Sequence, residues 1–232
     1  MYVSSNTTLT QVVHGYSRLA DSFQQRRKWN EMLEDGLWEE LCLCILSSNV
    51  PYELAKSAFL HLRDTKLLRP EWIIRSSNSA RQIAHELSRR IYLPKKKDGS
   101  YRKYRFPNTR AQNIVNAAKT LYLKSSGLFG ILKNSSSERE ARDFLAKNIA
   151  GVGLKQASHF LRNVGYSSSL AIIDSHVVAF LREVEAVPQK RIKTITPEIY
   201  MRLERILQDL CESLDLNLSI FDMAIWHYMR GR

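Results

Sequence analysis

Residues 149–161 read Ile-Ala-Gly-Val-Gly-Leu-Lys-Gln-Ala-Ser-His-Phe-Leu, and they carry the most specific structural signal of the sequence. It ends one segment with apolar residues at helical spacing and opens another, which predicts a helix, a tight turn and a second helix over residues 141–164. Gly151 and Gly153 permit backbone conformations that other residues avoid, and they expose amide groups near the N-terminus of the second helix. Such a turn can hold a phosphate group. The alternative is a plain corner between helices, with Lys155 as a solvated lysine of the first turn.

The rest of the chain carries a similar helical signal. Apolar residues recur at spacings of three and four over residues 37–45, 54–62, 111–123, 141–149 and 203–214. The six prolines lie near the proposed helix boundaries, where a missing N–H group costs least. Strand-like alternation is scarce, and the one short hairpin signal is Asp98-Gly99. The sequence therefore predicts a mainly α fold of two helical lobes with a central cleft, with room for a short β-hairpin near residues 95–105.

A carboxylate follows the predicted hairpin. The segment Leu-Ala-Ile-Ile-Asp-Ser-His-Val-Val, residues 170–178, places Asp174 nineteen residues after Lys155. An aspartate in front of a helical segment also suits an N-cap, and capping is compatible with a chemical role. His176 either donates a hydrogen bond to a phosphate near this helix start or is a structural histidine.

The overall charge favours a polyanionic partner. Against 23 acidic residues the chain has 35 lysines and arginines, which gives a formal net charge of +12. The basic residues concentrate between residues 95 and 110, where aromatic residues interleave with them: Lys95, Lys96, Lys97, Arg102, Lys103, Arg105 and Arg110. We call the part from Lys95 to Arg105 the basic loop. Cations of this kind neutralise phosphates while aromatic rings stack on bases. The alternative is a solvated hairpin without a ligand.

Cysteine usage and hydropathy exclude several classes of protein. The three cysteines cannot supply the four thiolates of an iron–sulfur cluster or of a cysteine-rich zinc site, so we expect no metal centre and no cofactor. Cys42 and Cys44 alternate within an apolar run, where they are expected to be core residues. The N-terminal residues do not have the pattern of a secretory signal, and no apolar run has the length of a membrane span. We expect an intracellular protein, nucleoid-associated or cytoplasmic, that contacts no membrane and is a monomer.

Together these motifs resemble one branch of the helix-hairpin-helix DNA glycosylase superfamily, the archaeal-type 8-oxoguanine DNA glycosylase/AP lyases. The resemblance is carried by residues 151–166 (GVGLKQASHFLRNVGY) and 171–177 (AIIDSHV). Segments 41–49 (LCLCILSSN), 105–111 (RFPNTRA) and 221–226 (FDMAIW) resemble further signatures of that class in the same order. The resemblance implies that residues 1–232 form a single glycosylase unit of two helical lobes, with its hairpin at 141–164 and its catalytic loop at 165–176. The family's loop contains proline, whereas residues 165–169 contain none.

The resemblance also implies a mechanism. Lys155 falls on the position of the nucleophile that attacks the sugar C1′ atom, forming an imine that promotes strand cleavage by β-elimination. Because an amine must be neutral to attack, we expect Lys155 to lie at a partly desolvated helix terminus. Asp174 falls on the position of the carboxylate that offsets positive charge on the sugar as the base departs. Gly151 and Gly153 would hold a DNA phosphate.

A damaged base must leave the duplex stack and enter a pocket with flat walls and polar edges. By resemblance, Trp226 is the stacking surface, Phe106 the opposite wall and Asp222 a polar edge. The alternatives are aromatic residues of the core and a helix cap. The related enzymes often end in a lysine that this sequence lacks, and Arg232 or its α-carboxylate could replace it.

The expected function is therefore excision of 8-oxoguanine from double-stranded DNA in base excision repair, with cleavage of the abasic site. One alternative is a glycosylase of the same superfamily for another damaged or mismatched base, acting without lyase chemistry, against which Lys155 argues. The other alternative is a non-enzymatic DNA-binding module that uses the hairpin only to contact phosphate.

Overall fold

The computed structural model describes residues 7–23, 28–189, 192 and 194–231. Helices dominate these residues, in agreement with the predicted mainly α fold. The helices in chain order are α1 (Thr7–Phe23), α2 (Glu34–Ser47), α3 (Tyr52–Asp64), α4 (Pro70–Arg75), α5 (Ser79–Leu87), α6 (Pro107–Leu123), α7 (Gly127–Asn134), α8 (Glu138–Asn148), α9 (Leu154–Asn163), α10 (Ser175–Glu183), α11 (Pro197–Ser213) and α12 (Leu218–Arg230). Strands β1 (Arg90–Tyr92) and β2 (Arg102–Lys103) lie between α5 and α6.

The chain divides into two compact units, in agreement with the predicted pair of lobes. One unit comprises residues 30–160, and the other combines residues 1–29 with residues 161–232. We call them the central unit and the terminal unit. The predicted central cleft stays a prediction.

The central unit is built around α2. Its buried residues lie on most sides of the helix, which packs against α3, α6 and α7. Cys42 and Cys44 are free thiols buried in this core, as their place in an apolar run predicted. Helices α4 and α6 each begin with a proline, whose fixed φ and missing N–H group suit the first helical position.

A two-stranded hairpin carries the basic loop. Strands β1 and β2 pair antiparallel, with Arg90 opposite Lys103 and Tyr92 opposite Arg102. The turn contains Gly99, whose φ of 80° is a left-handed conformation that favours glycine. The predicted turn and second strand are therefore confirmed, but the first strand lies earlier, at residues 90–92, because Lys95–Lys97 belong to the exposed connection rather than to a strand.

The terminal unit brings the two ends of the described chain together. Helix α1 packs along α12, and the Tyr16 hydroxyl accepts a hydrogen bond from the Asn217 amide at 3.1 Å. Phe180 of α10 and Phe221 of α12 meet edge to face, with ring centroids 5.7 Å apart. No described helix combines the length and the apolarity needed to cross a membrane.

Candidate active site

The two glycines in the turn between α8 and α9 differ in backbone conformation and in surroundings. Gly151 has a φ of 80°, and a Cβ atom there would come within 2.8 Å of the Asn113 Cγ atom. Gly151 therefore satisfies both a left-handed conformation and a close approach. Gly153 has no positive φ, and a Cβ atom there would meet only the Gln156 side chain at 3.8 Å. Contrary to the expectation for both glycines, only Gly151 adopts a conformation that favours glycine, and a Cβ atom at position 153 would make an ordinary van der Waals contact.

Lys155 lies on the first turn of α9 and is exposed. The expected partial desolvation of this side chain is wrong for the free protein. The amides of residues 153–156 donate to no backbone acceptor among the described residues, whereas the Val152 amide donates to Ile149 and the Ala157 amide to Gly153. These unused donors at a helix N-terminus form a suitable site for an anion next to the lysine amine.

Ser48 and Asn49, which follow α2, accept hydrogen bonds from residues near the start of α9 and near the start of α6. The Gln156 side chain donates to the Ser48 hydroxyl at 3.2 Å, and Arg110 donates through Nη2 to the Ser48 carbonyl at 2.7 Å. Arg105 donates to the next carbonyl, that of Asn49, at 3.4 Å. The two resembling segments 41–49 and 105–111 therefore meet near the residue that follows Lys155.

Phe106 lies at the N-cap of α6 and is half-buried, so it is not simply a core residue. The guanidinium carbons of Arg105 and Arg110 lie 4.9 and 5.5 Å from the centre of its ring. These cation–π contacts orient the ring within the central unit.

The basic loop is exposed along most of its length. Lys95, Lys96, Lys97, Lys103 and Arg105 are exposed, and Arg102 is half-buried. The Lys95 ammonium lies 4.6 Å from the centre of the Tyr101 ring, and Arg102 donates to the Pro94 carbonyl at 2.7 Å. A hydrogen bond from the Ser100 hydroxyl holds the pKa of Asp98 below its usual value, so this carboxylate stays ionised within the loop. The loop therefore presents cations with one local counter-charge.

In the terminal unit, Asp174 is the N-cap of α10. Its Oδ1 atom accepts hydrogen bonds from the His176 amide at 2.8 Å and from the Val177 amide at 3.0 Å. The capping interpretation of the sequence is confirmed. Asp174 is half-buried, and its Oδ2 atom accepts no hydrogen bond from the described residues of the same unit. One oxygen therefore anchors the side chain and the other is available for chemistry.

Asp222 lies inside α12, where it is 3% exposed. Its Oδ1 atom accepts a hydrogen bond from Arg162 Nη1 at 3.0 Å, and its Oδ2 atom accepts from the Ile172 amide at 2.7 Å. Burial raises the pKa of Asp222 to about 6, although Arg162 acts in the opposite direction. Asp222 is therefore not a helix cap. Its expected place at the edge of a base pocket stays a prediction.

Trp226 is half-buried on the next turn of α12, so it is also not a simple core residue. The His176 ring approaches it edge-on, with centroids 6.5 Å apart. The Arg230 guanidinium lies 4.8 Å from the centre of the indole ring. The terminal unit thus brings Asp174, His176 and Trp226 together through α10 and α12. Arg232 lies outside the described residues.

The fold is helical, and its hairpin presents a lysine beside amides that bind no backbone acceptor in the part of the chain that the structure describes. An aspartate follows at the N-terminus of a later helix. These features define a helix-hairpin-helix protein of the DNA glycosylase class. Comparison with known proteins narrows this class. The family model described as 8-oxoguanine DNA glycosylase matches residues 17–216. The chain belongs to the 8-oxoguanine DNA glycosylase family.

Individual relatives agree with this assignment. The chain is 34% identical over 206 residues to an 8-oxoguanine DNA glycosylase/AP lyase of Sulfurisphaera tokodaii, covering 86% of this chain and 85% of the relative. It is 32% identical over 212 residues to the protein of that description from Methanocaldococcus jannaschii, covering 90% and 87%. The crystal structure of a M. jannaschii 8-oxoguanine glycosylase/lyase in complex with a 15-mer DNA containing 8-oxoguanine is similar with a TM-score of 0.67 and 27% identity, covering 98% of this chain and 93% of that chain.

Sequence reasoning missed the residues that support the site. Ser48, Asn113, Arg162 and Tyr200 were not singled out. Arg162 lies within the hairpin motif that was quoted, but its partner Asp222 is sixty residues away. The one signal in the sequence is an arginine on an otherwise apolar face of the helix, where a charged side chain needs a partner.

Proposed function

We propose that this chain is a bifunctional DNA glycosylase and AP lyase that removes 8-oxoguanine from double-stranded DNA in base excision repair. The observation that carries the proposal is the exposed amine of Lys155 on the first turn of α9, directly after a glycine turn with unused amides. Membership of the 8-oxoguanine DNA glycosylase family supports the same substrate and the same chemistry. The site of action is intracellular, on the nucleoid or in the cytoplasm, because the substrate is DNA.

Lys155 is the nucleophile. The neutral Nζ atom attacks the sugar C1′ atom, the glycosidic C–N bond breaks, and the base leaves with the bonding electrons and gains a proton. Loss of the ring oxygen from C1′ then gives an imine with the lysine. Removal of a C2′ proton expels the 3′ phosphate by β-elimination. DNA bound over the exposed amine excludes water from the site of attack.

Asp174 stabilises the positive charge that develops on the sugar while the base departs. The two amides of α10 that bind Oδ1 fix the side chain before the substrate arrives, so little reorganisation accompanies the reaction. The free Oδ2 atom is the one that faces the reaction or accepts a proton from the attacking amine.

The backbone of DNA is held by two elements of the central unit. The turn at Gly151 and Gly153 binds one phosphate through the amides that precede Lys155, and the lack of a side chain at Gly153 lets the phosphate approach the backbone. The cations of the basic loop neutralise further phosphates. In the terminal unit, the His176 side chain near the start of α10 contacts another.

The extruded base stacks on Trp226. Its half-buried ring can lose further exposed surface to a base, as stacking requires. Phe106 supplies a second flat surface, oriented by its two arginine contacts. Arg230, which lies over the Trp226 ring, must share this surface with the base or move aside.

The test is base release from a panel of duplexes that carry 8-oxoguanine, uracil, thymine glycol or a mismatched adenine. The proposal expects release of 8-oxoguanine and breakage of the same strand. Release of another base would favour the glycosylase alternative. Tight binding of every duplex without release would instead favour a DNA-binding module.

A further inference from the structure

The residues that lead into Asp174 are buried without the backbone partners of a sheet. Residues 170–173 belong to no helix or strand and are between 0% and 7% exposed. They form no β-ladder with the described residues. Buried N–H and C=O groups still need hydrogen-bond partners, so side chains have to supply the bonds that a neighbouring strand would otherwise form.

Three buried side chains form hydrogen bonds with this backbone. Tyr200 donates through its hydroxyl to the Ala171 carbonyl at 2.7 Å and accepts from the Ile173 amide at 3.3 Å. Glu204 accepts from the Ala171 amide at 3.1 Å, and Asp222 accepts from the Ile172 amide at 2.7 Å. Every amide from residue 171 to residue 173 therefore has a side-chain acceptor.

The three side chains are themselves fixed. Tyr200 and Glu204 lie four residues apart on α11, so both project from the same face of the helix. Asp222 comes from α12 and is held by Arg162 at 3.0 Å. Their exposures are 3%, 1% and 3%, which leaves little room to change rotamer. We call Tyr200, Glu204 and Asp222 the backbone cradle.

We propose that Tyr200, Glu204 and Asp222 are positioning residues that act through Asp174 by fixing the backbone immediately in front of it. The inference rests on the proposed role of Asp174 in base excision. The Asp174 carboxylate follows the last cradled amide by one residue, so displacement of the segment 171–173 moves the carboxylate directly. A displacement of about 1 Å at a reacting group can cost about a hundredfold in rate.

The two possible roles of the backbone cradle, positioning Asp174 or only stabilising the core, predict different effects when one of its hydrogen bonds is removed. Loss of a cradle hydrogen bond should lower the rate of excision without weakening the binding of DNA, because the bond touches no DNA-binding residue. It should also loosen residues 170–178 selectively, since their amides lose acceptors. A purely structural role predicts a lower melting temperature and no selective loss of rate.

The experiment compares Tyr200→Phe with Tyr92→Phe. Each change removes one hydroxyl that donates to a backbone carbonyl from a buried tyrosine, since Tyr92 donates to the Glu86 carbonyl at 2.7 Å in the central unit. Single-turnover excision of 8-oxoguanine, the dissociation constant for the duplex, and hydrogen–deuterium exchange of the peptide covering 170–178 are measured for both.

We expect Tyr200→Phe to lower the excision rate by about 10- to 100-fold, with the dissociation constant within about twofold of wild type. The amides of residues 171–173 should exchange faster. Tyr92→Phe should change neither the rate nor this exchange. Equal excision rates and equal exchange in the two variants would overturn the proposal, as would a loss of rate matched by an equal loss of binding.

If Tyr200→Phe does not fold, Glu204→Gln and Glu204→Leu replace it. The amide oxygen of glutamine can still accept from Ala171, whereas leucine cannot, so only leucine should loosen the segment and slow excision. Equal behaviour of the two would overturn the cradle. If the wild-type protein excises no 8-oxoguanine, the proposed function fails, and the exchange data still decide whether the cradle orders the segment.

Discussion

The buried carboxyl of Asp222 should make stability depend on pH, and Asp222→Asn isolates that contribution. Burial raises the pKa of Asp222 from 3.8 to about 6. The folded protein therefore binds a proton more tightly at this site than the unfolded chain does. The stabilisation is fully present below pH 3.8 and is lost as the pH rises through 6.

The expected size follows from the two pKa values. A difference of about two pH units corresponds to at most about 3 kcal/mol, lost by the wild type between about pH 4 and pH 7. The asparagine side chain does not titrate, so the free energy of unfolding of the variant, taken relative to wild type, should rise over that interval. The rise appears even if the variant is less stable at every pH because Arg162 loses its charged partner.

Urea denaturation at pH 4, 5, 6 and 7 measures this difference. Asp209→Asn, which removes one exposed carboxylate from the same unit, corrects for the general effect of one negative charge less. A difference that stays constant with pH would show that burial does not raise the pKa of Asp222. A difference that falls with pH would mean that the ion pair with Arg162 outweighs burial and lowers the pKa.

Three further predictions follow from single elements of the site. Trp226→Ala should slow excision of 8-oxoguanine by raising its activation free energy by about 1–3 kcal/mol. Cleavage at a preformed abasic site should be unaffected, since that substrate has no base to stack. Equal effects on both substrates in a folded variant would contradict this. Replacing Lys95–Lys97 with serine should flatten the plot of log binding constant against log salt by about 0.9 for each phosphate that these lysines neutralise, and an unchanged slope would assign them to solvent. Gly151→Ala should lower the melting temperature, because residue 151 has a φ of 80° and lies close to Asn113. Gly153→Ala should leave the melting temperature unchanged and weaken DNA binding. The reverse pattern would contradict the roles assigned to the two glycines.

Local signals explain what the sequence could predict. The hairpin at α8 and α9 follows from two glycines within one apolar pattern, and Asp174 as an N-cap follows from the residue type before a helical segment. Prolines begin α4, α6 and α11, in agreement with their predicted places at helix boundaries. Each of these conclusions depends on residues within a few positions of one another.

Interactions between distant residues explain what the sequence could not predict. The ion pair of Arg162 with Asp222 joins residues that neither charge pattern nor helical spacing connects. Helix α1 packs on α12, near the other end of the described chain, and this contact joins segments that are far apart in sequence. The burial of Asp222 could not be predicted either, because it depends on three segments that meet only in the folded protein.

The most direct test of the central claim is borohydride trapping of the protein on a duplex containing 8-oxoguanine. The imine between Lys155 and the sugar is reduced to a stable amine, which gives a covalent complex on a denaturing gel. Lys133→Gln removes another exposed lysine of the central unit and should leave trapping unchanged. Lys155→Gln should abolish trapping and base release while duplex binding is kept. Undiminished trapping by Lys155→Gln would show that another amine is the nucleophile and would contradict the account.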